Sequence, residues 1–239
     1  MTLVQCSVQN KLLKCLLRTD FELLAPHLKR VDFSLREPIE NPESPIESAL
    51  FVEDGIASIV AKSPDGGDIE IGLVGFDGMT GSALVLGSTS TPLSIYIQLA
   101  GSGLRIAADK LLAAIAQSAS LQLVLLKYTQ AMVVQTATTA LVNGQADART
   151  RLARWLLMVH DRTSGHDLYL THELMAVMLG MRRPWVTETL HSLEGEGHIR
   201  ATRGKVTIMD RTGLLAEANG FYGVAEREYQ KLLNTVISR

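Results

Sequence analysis

At 239 residues the chain has room for one or two domains, and 46 % apolar against 20 % charged residues supports a buried core, which excludes a disordered segment. Nowhere do apolar residues run unbroken for a membrane span, and the N-terminus, with Lys11, Lys14, Arg18 and Asp20 among short apolar pairs, lacks a secretory signal; a cytoplasmic location is expected. The net charge of −2 divides into −4 over residues 1–145 (10 Lys+Arg, 14 Asp+Glu) and +2 over 146–239 (13 against 11), too mild to name a partner.

Leu12, Leu13, Leu16, Leu17, Phe21, Leu23, Leu24 and Leu28 recur at helical spacing and predict helix over the first 30 residues. Cys6 and Cys15 are too few for a four-ligand zinc or iron–sulfur site within one chain and read as ordinary thiols; a cluster shared between chains or a redox pair is the other reading. No metal and no cofactor is expected.

Pro38, Pro42 and Pro45 break any helix, and Glu40, Glu43 and Glu47 suggest a solvated loop. Alternating apolar residues over 56–62 and 68–74 flank Ser63-Pro-Asp-Gly-Gly67 and predict a β-hairpin. Residues 91–100 read as another strand and Gly101-Ser-Gly103 as another turn, so this region is predicted as an all-β unit, a jelly roll.

Helix formers then dominate to His160. Leu121, Leu125, Tyr128, Met132, Gln135, Thr139 and Val142 alternate steps of four and three, a seam of period 3.5 that predicts a dimerisation helix over 118–145. Leu123, Leu126, Val133 and Ala137 occupy the other flank, so the helix can be buried on two sides; packing only within its own chain is the alternative. Asn143-Gly144 is read as the stop, and Asp147 as the start of a helix carrying Leu152, Trp155, Leu156 and Val159 on one face.

The informative stretch is 170–209. Thr171 is placed to cap a helix ending before Gly180, and Pro184 to open a second helix with Arg183 at its cap. Ala176, Gly180 and Val186 supply the small contact, the left-handed turn and the buried anchor of a helix-turn-helix. A wheel of the second helix points Val186, Leu190 and Leu193 inward and Pro184, Thr187, Glu188 and His191 outward, with Arg182 and Arg183 at its N-terminal end. Arg183 is expected to pair with guanine and Glu188 with cytosine in a major groove, while Trp185 reads as a packing or backbone contact. Thr171 and His172 complete the expected DNA-facing set. Residues 199–202 and 206–209 flank a basic turn, a wing whose Arg203 and Lys205 are expected to meet phosphates.

This arrangement resembles the Crp/Fnr family of bacterial transcription regulators over almost the whole chain, most closely over 170–208. The resemblance implies an α+β fold: a sensor-like, cyclic-nucleotide-binding-like jelly roll with N-terminal helices (1–117), the dimerisation helix (118–145), a winged helix-turn-helix domain (146–222) and a C-terminal helix (223–239). Residues 73–81 are similar to the entry of the family's nucleotide-phosphate cassette, but Asp77 stands where the family has Glu, the cassette's Arg-Ser/Thr pair is missing, and no Lys or Arg lies between Lys62 and Arg105. Gly75, Asp77 and Gly78 therefore either form a structural turn or bind an anion through backbone amides, and control by cyclic AMP in the usual way is not expected.

The expected function is a homodimeric, sequence-specific transcription regulator binding a pseudo-palindromic duplex, with RNA polymerase as a further partner implied by the resemblance. A module of the same fold that binds an effector or a protein but no DNA is the alternative. An enzyme is not expected: no G-x-S-x-G, H-E-x-x-H or Walker A pattern occurs, and none of the six histidines (His27, His160, His166, His172, His191, His198) sits at paired metal-ligand spacing.

Overall fold

The computed structural model describes residues 3–63, 67–163 and 165–237. Pro64, Asp65 and Gly66, the centre of the turn expected in the first hairpin, lie outside the described residues.

The N-terminal segment is less helical than its spacing suggests. It forms a 3-10 turn (Gln5–Ser7), α1 (Lys11–Lys14), α2 (Arg18–Leu24) and a second 3-10 turn (Ala25–His27), and then enters β1 (Lys29–Phe33). Leu12, Leu13, Leu16, Phe21 and Leu24 are buried, so the apolar pattern is that of short helices folded back onto the sheet. β2 (Pro38–Glu40), β3 (Ser48–Lys62), β4 (Asp68–Val74) and β5 (Ser94–Ala107) complete an antiparallel sheet of order β1-β5-β3-β4, with β2 also on β5. α3 (Ser82–Val85) lies between β4 and β5. β3 and β5 are long and carry register shifts near Val52, Asp54 and Ile56, where they bend.

The structure departs from the sequence expectation at Gly101–Gly103 and at Glu40. Gly101-Ser-Gly103 is not a turn but the middle of β5, pairing with β1 and β3. A Cβ on Gly101 would lie 2.3 Å from the Asp54 carbonyl oxygen, so glycine serves the close approach of two bent strands. Glu40 is not solvated: it is buried and accepts the Gly81 amide at 2.7 Å, while burial raises its pKa.

Beyond the sheet, α4 (Ala108–Gln117) and α5 (Ala119–Gln145) meet at a bend of 118°. Ser118 caps α5 by accepting the Leu121 amide at 3.1 Å. Asn143-Gly144 do not stop α5, which continues to Gln145; Asp147 caps α6 (Ala148–His160) by accepting the Thr150 amide at 2.8 Å. β6 (Asp167–Leu168), α7 (His172–Leu179), α8 (Arg183–Gly195), β7 (Ile199–Thr202), β8 (Lys205–Ile208) and α9 (Arg211–Glu217) follow, with α10 (Val224–Ile237) packed along α5. Among the described residues no single helix is long and apolar enough to cross a membrane.

The seam read on α5 faces its own chain. Leu121, Leu125, Tyr128, Met132, Gln135, Thr139 and Val142 are all buried within the chain, where α5 packs on α10, β4, α3 and α4. Gln135 Oε1 accepts the Leu73 amide at 2.6 Å and Arg154 donates to Thr139 Oγ1 at 3.3 Å, so these polar positions serve internal packing, not pairing between chains. The opposite flank is solvent-facing.

Candidate DNA-binding surface

Thr171 accepts the Leu174 amide at 3.1 Å and caps α7, the first helix of the pair. Gly180 adopts φ 57° and ψ 40°, the left-handed turn that only glycine takes without strain, and returns its amide to the Val177 carbonyl. Ala176 and Val186 are buried where the two helices meet. The start of α8 differs by one residue from the expectation. The Arg182 carbonyl accepts from Trp185 and Val186, so Arg182 is the cap and Pro184 the second residue, where its missing N–H costs no helical bond.

On α8, Val186, Leu190 and Leu193 are fully buried. Arg182, Arg183, Pro184, Glu188 and His191 are exposed, and Thr187 is half-buried. Thr187 Oγ1 lies 2.9 Å from His172 Nδ1 and donates to the Arg183 carbonyl at 3.2 Å. Burial, then the nearby Arg183 and His191 charges, lower the pKa of His172. Trp185 is 55 % exposed, which removes it from the packing role; Thr189 occupies the buried neighbouring position. The wing turns at Arg203-Gly204 between β7 and β8 with Arg203 exposed. Lys205 is already paired with Asp167 at 3.0 Å, an acid that also accepts from Thr207 at 2.6 Å.

α7 also packs on β4 of the roll: a Cβ on Gly180 would sit 3.1 Å from Ile69 Cδ1. A buried polar node crosses the same boundary. Trp155 Nε1 of α6 donates to Glu70 Oε1 of β4 at 2.6 Å, and Glu70 Oε2 lies 2.6 Å from Ser58 Oγ. Ser58 also contacts Gln98 Oε1. Burial pushes the pKa of Glu70 up to about 8, against the hydrogen bonds from Ser58 and Trp155 that favour its charged form.

The cassette-like turn is filled from within. Asp77 Oδ2 pairs with Arg162 Nη2 at 2.9 Å, and the aliphatic stem of Arg162 leaves no room for a Cβ on Gly75. Tyr128 fits against Gly78, its hydroxyl accepting the Met79 amide at 3.0 Å and donating to the Met79 carbonyl at 2.8 Å. The amides of Gly75, Gly78, Thr80 and Gly81 are spent on Asp77 Oδ1, the Gly75 and Leu50 carbonyls and Glu40. Sequence reasoning missed Glu70 and Arg162 because their partners lie in distant elements; Glu70 within Ile-Glu-Ile reads locally as an outward-facing strand residue.

Cys6 is exposed and Cys15 half-buried, neither in a disulfide, and burial pushes the Cys15 thiol up to about 11. Among the described residues Glu196, His198 and Glu217 come close enough to share an ion, but the Arg149 guanidinium already bridges Glu196 and Glu217.

A bent antiparallel roll, one long helix and a winged helix-turn-helix make up the described architecture. Residues 150–217 match the family described as the Crp-like helix-turn-helix domain. A curated relative, the transcriptional regulator SdrP of Thermus thermophilus, is 36 % identical over 86 residues, covering 35 % of this chain and 42 % of the relative. The chain thus matches less than half of that relative's length. FixK2 from Bradyrhizobium japonicum superposes with a TM-score of 0.69 at 17 % identity, over 79 % of this chain and 96 % of that one. TTHB099, a CRP-family transcriptional regulator from Thermus thermophilus, gives 0.66 at 19 % identity, over 80 % and 97 %. The chain has the fold of the Crp/Fnr regulators and carries their Crp-like helix-turn-helix domain.

Proposed function

We propose that this protein is a homodimeric, sequence-specific DNA-binding regulator of transcription that does not use cyclic AMP in the usual way. The observation that carries the reading is the outward face of α8: Arg182 at the cap and Arg183, Glu188 and His191 exposed along a glycine-hinged second helix, beside a wing tipped by Arg203. Side chains so placed meet base edges, and the wing meets phosphates.

Dimerisation is supported by the flank of α5 that the chain leaves uncovered. Leu123, Leu126, Gln130, Val133, Ala137, Ala140 and Gly144 are exposed at alternating steps of three and four, with Val133 at 55 % exposure. An exposed 3.5-residue repeat with apolar side chains at five of its seven positions fits a second copy of the same helix. The reading on cyclic AMP rests on the turn at Gly75–Gly81, where the Gly75, Gly78, Met79, Thr80 and Gly81 amides are spent and the acid Asp77 already holds an arginine.

Selection of bound sequences from random duplex DNA, followed by salt titration on the enriched site, tests this reading. A pseudo-palindrome with half-sites about 10–10.5 base pairs apart and a steep fall of affinity with salt are expected. No enriched site and a flat salt response would replace it with a module acting through protein contacts.

A further inference from the structure

Beside the filled cassette-like turn, between the roll, α5, α10 and the helix-turn-helix unit, lies a cavity of about 640 Å³. That volume falls within the range of small-molecule sites, and such sites favour domain boundaries. α5 contributes Ala131 and Met132 to its wall, and α10 contributes Gln230 and Leu233. The ion pairs Asp77–Arg162 and Asp161–Arg211 also border it, each with its charge matched. The remaining acid, Glu226, accepts the Gly223 amide at 2.9 Å. Lys11 and Lys14 of α1 are exposed on the cavity and have no carboxylate partner among the described residues; Lys11 rests over the Phe76 ring at 4.6 Å. The cavity thus joins an apolar wall to two lysines without a carboxylate partner among the described residues, Glu226 being its acid outside an ion pair.

We propose that this cavity binds a small organic anion with an apolar body, its acid group at Lys11 and Lys14 and its body against Met132 and Leu233. A ligand there touches the roll, the long helix and, through Arg162 and Arg211, the helix-turn-helix unit at once. Its occupancy therefore biases how the two units sit. That regulatory role rests on the reading of the chain as a DNA-binding regulator; the binding itself does not.

The test is a fluorescence titration of the full chain with 8-anilinonaphthalene-1-sulfonate, an anion with an aromatic body. One saturable site per chain is expected, displaced by decanoate but not by equal concentrations of decanol or inorganic phosphate. Lys11→Gln with Lys14→Gln is expected to weaken the probe by about tenfold. Gln230→Trp, an exposed position at the cavity, is expected to block it while leaving the thermal melt unchanged. Non-saturable binding, displacement by decanol or phosphate as good as by decanoate, or saturable binding that neither variant alters would each overturn the proposal. DNA affinity is read separately on the same samples. Probe binding that meets these expectations in a protein without DNA affinity sinks the functional reading and leaves the cavity standing; DNA affinity without the probe site does the reverse.

Discussion

Asp77 and Arg162 join the cassette-like turn of the roll to the segment after α6 through a 2.9 Å ion pair, with 17 % and 7 % of the two side chains exposed. Arg162 also donates to the Met158 carbonyl at 3.0 Å, so its charge is held on both sides. Asp77→Asn leaves that guanidinium buried beside a neutral partner and is expected to cost about 3–5 kcal/mol. Arg162→Met added to it is expected to recover much of the loss. A double-mutant cycle in urea measures the coupling; additive single effects would show that the pair does not hold the units together.

Glu70 makes stability depend on pH in an unusual sense. Its folded pKa is pushed from 4.5 up to about 8 by burial, so between those values the folded chain keeps a proton that the unfolded chain has released. Stability therefore falls as pH rises through this window, by up to about 1.4 kcal/mol per unit, and levels off above it. Glu70→Gln keeps the shape without the ionisation and is expected to flatten the curve. Denaturant melts from pH 5 to 9 check this, and an equal slope in the variant would refute it.

Across the proposed DNA-facing surface the expected losses differ in kind. Arg183→Ala is expected to cost about 1–3 kcal/mol at the selected site and to relax one base position. Arg203→Ala is expected to weaken all sequences alike and reduce the salt slope by about one. Lys205→Ala is expected to do less than Arg203→Ala, because Asp167 already neutralises that ammonium. Binding isotherms at several salt concentrations separate the three.

The two flanks of α5 are expected to respond to different measurements. Leu126→Glu with Val133→Glu places charge on the exposed repeat and is expected to give a monomer by sedimentation, with the secondary structure of the chain little changed. Leu125→Ala, on the fully buried flank, is expected to cost about 2–5 kcal/mol of stability. A double glutamate variant that remains dimeric would move the interface elsewhere.

What was legible in the sequence is what local spacing encodes. Ala176, Gly180 and Val186 specify the helix-turn-helix within eleven residues, and Thr171, Asp147 and the wing hairpin are equally local. The phase of α5 was not legible, because both flanks repeat at 3.5 residues. The choice between them is made by β4 and α10, through contacts such as that of Gln135 with Leu73. Gly101-Ser-Gly103 carries the composition of a turn but serves strand proximity, and Glu40 became internal because a distant amide needed an acceptor. Pro184 set the start of α8 to within one residue, the margin within which helix ends are defined by capping alone.

Ile56 and Leu73 of the roll belong to the same apolar cluster as Trp155, Met178 and Val186. A fragment starting at residue 146 would keep nearly all of that cluster but bare the patch that Ile56 and Leu73 cover. Any swivel of one half against the other must first break the apolar contacts these residues hold in common.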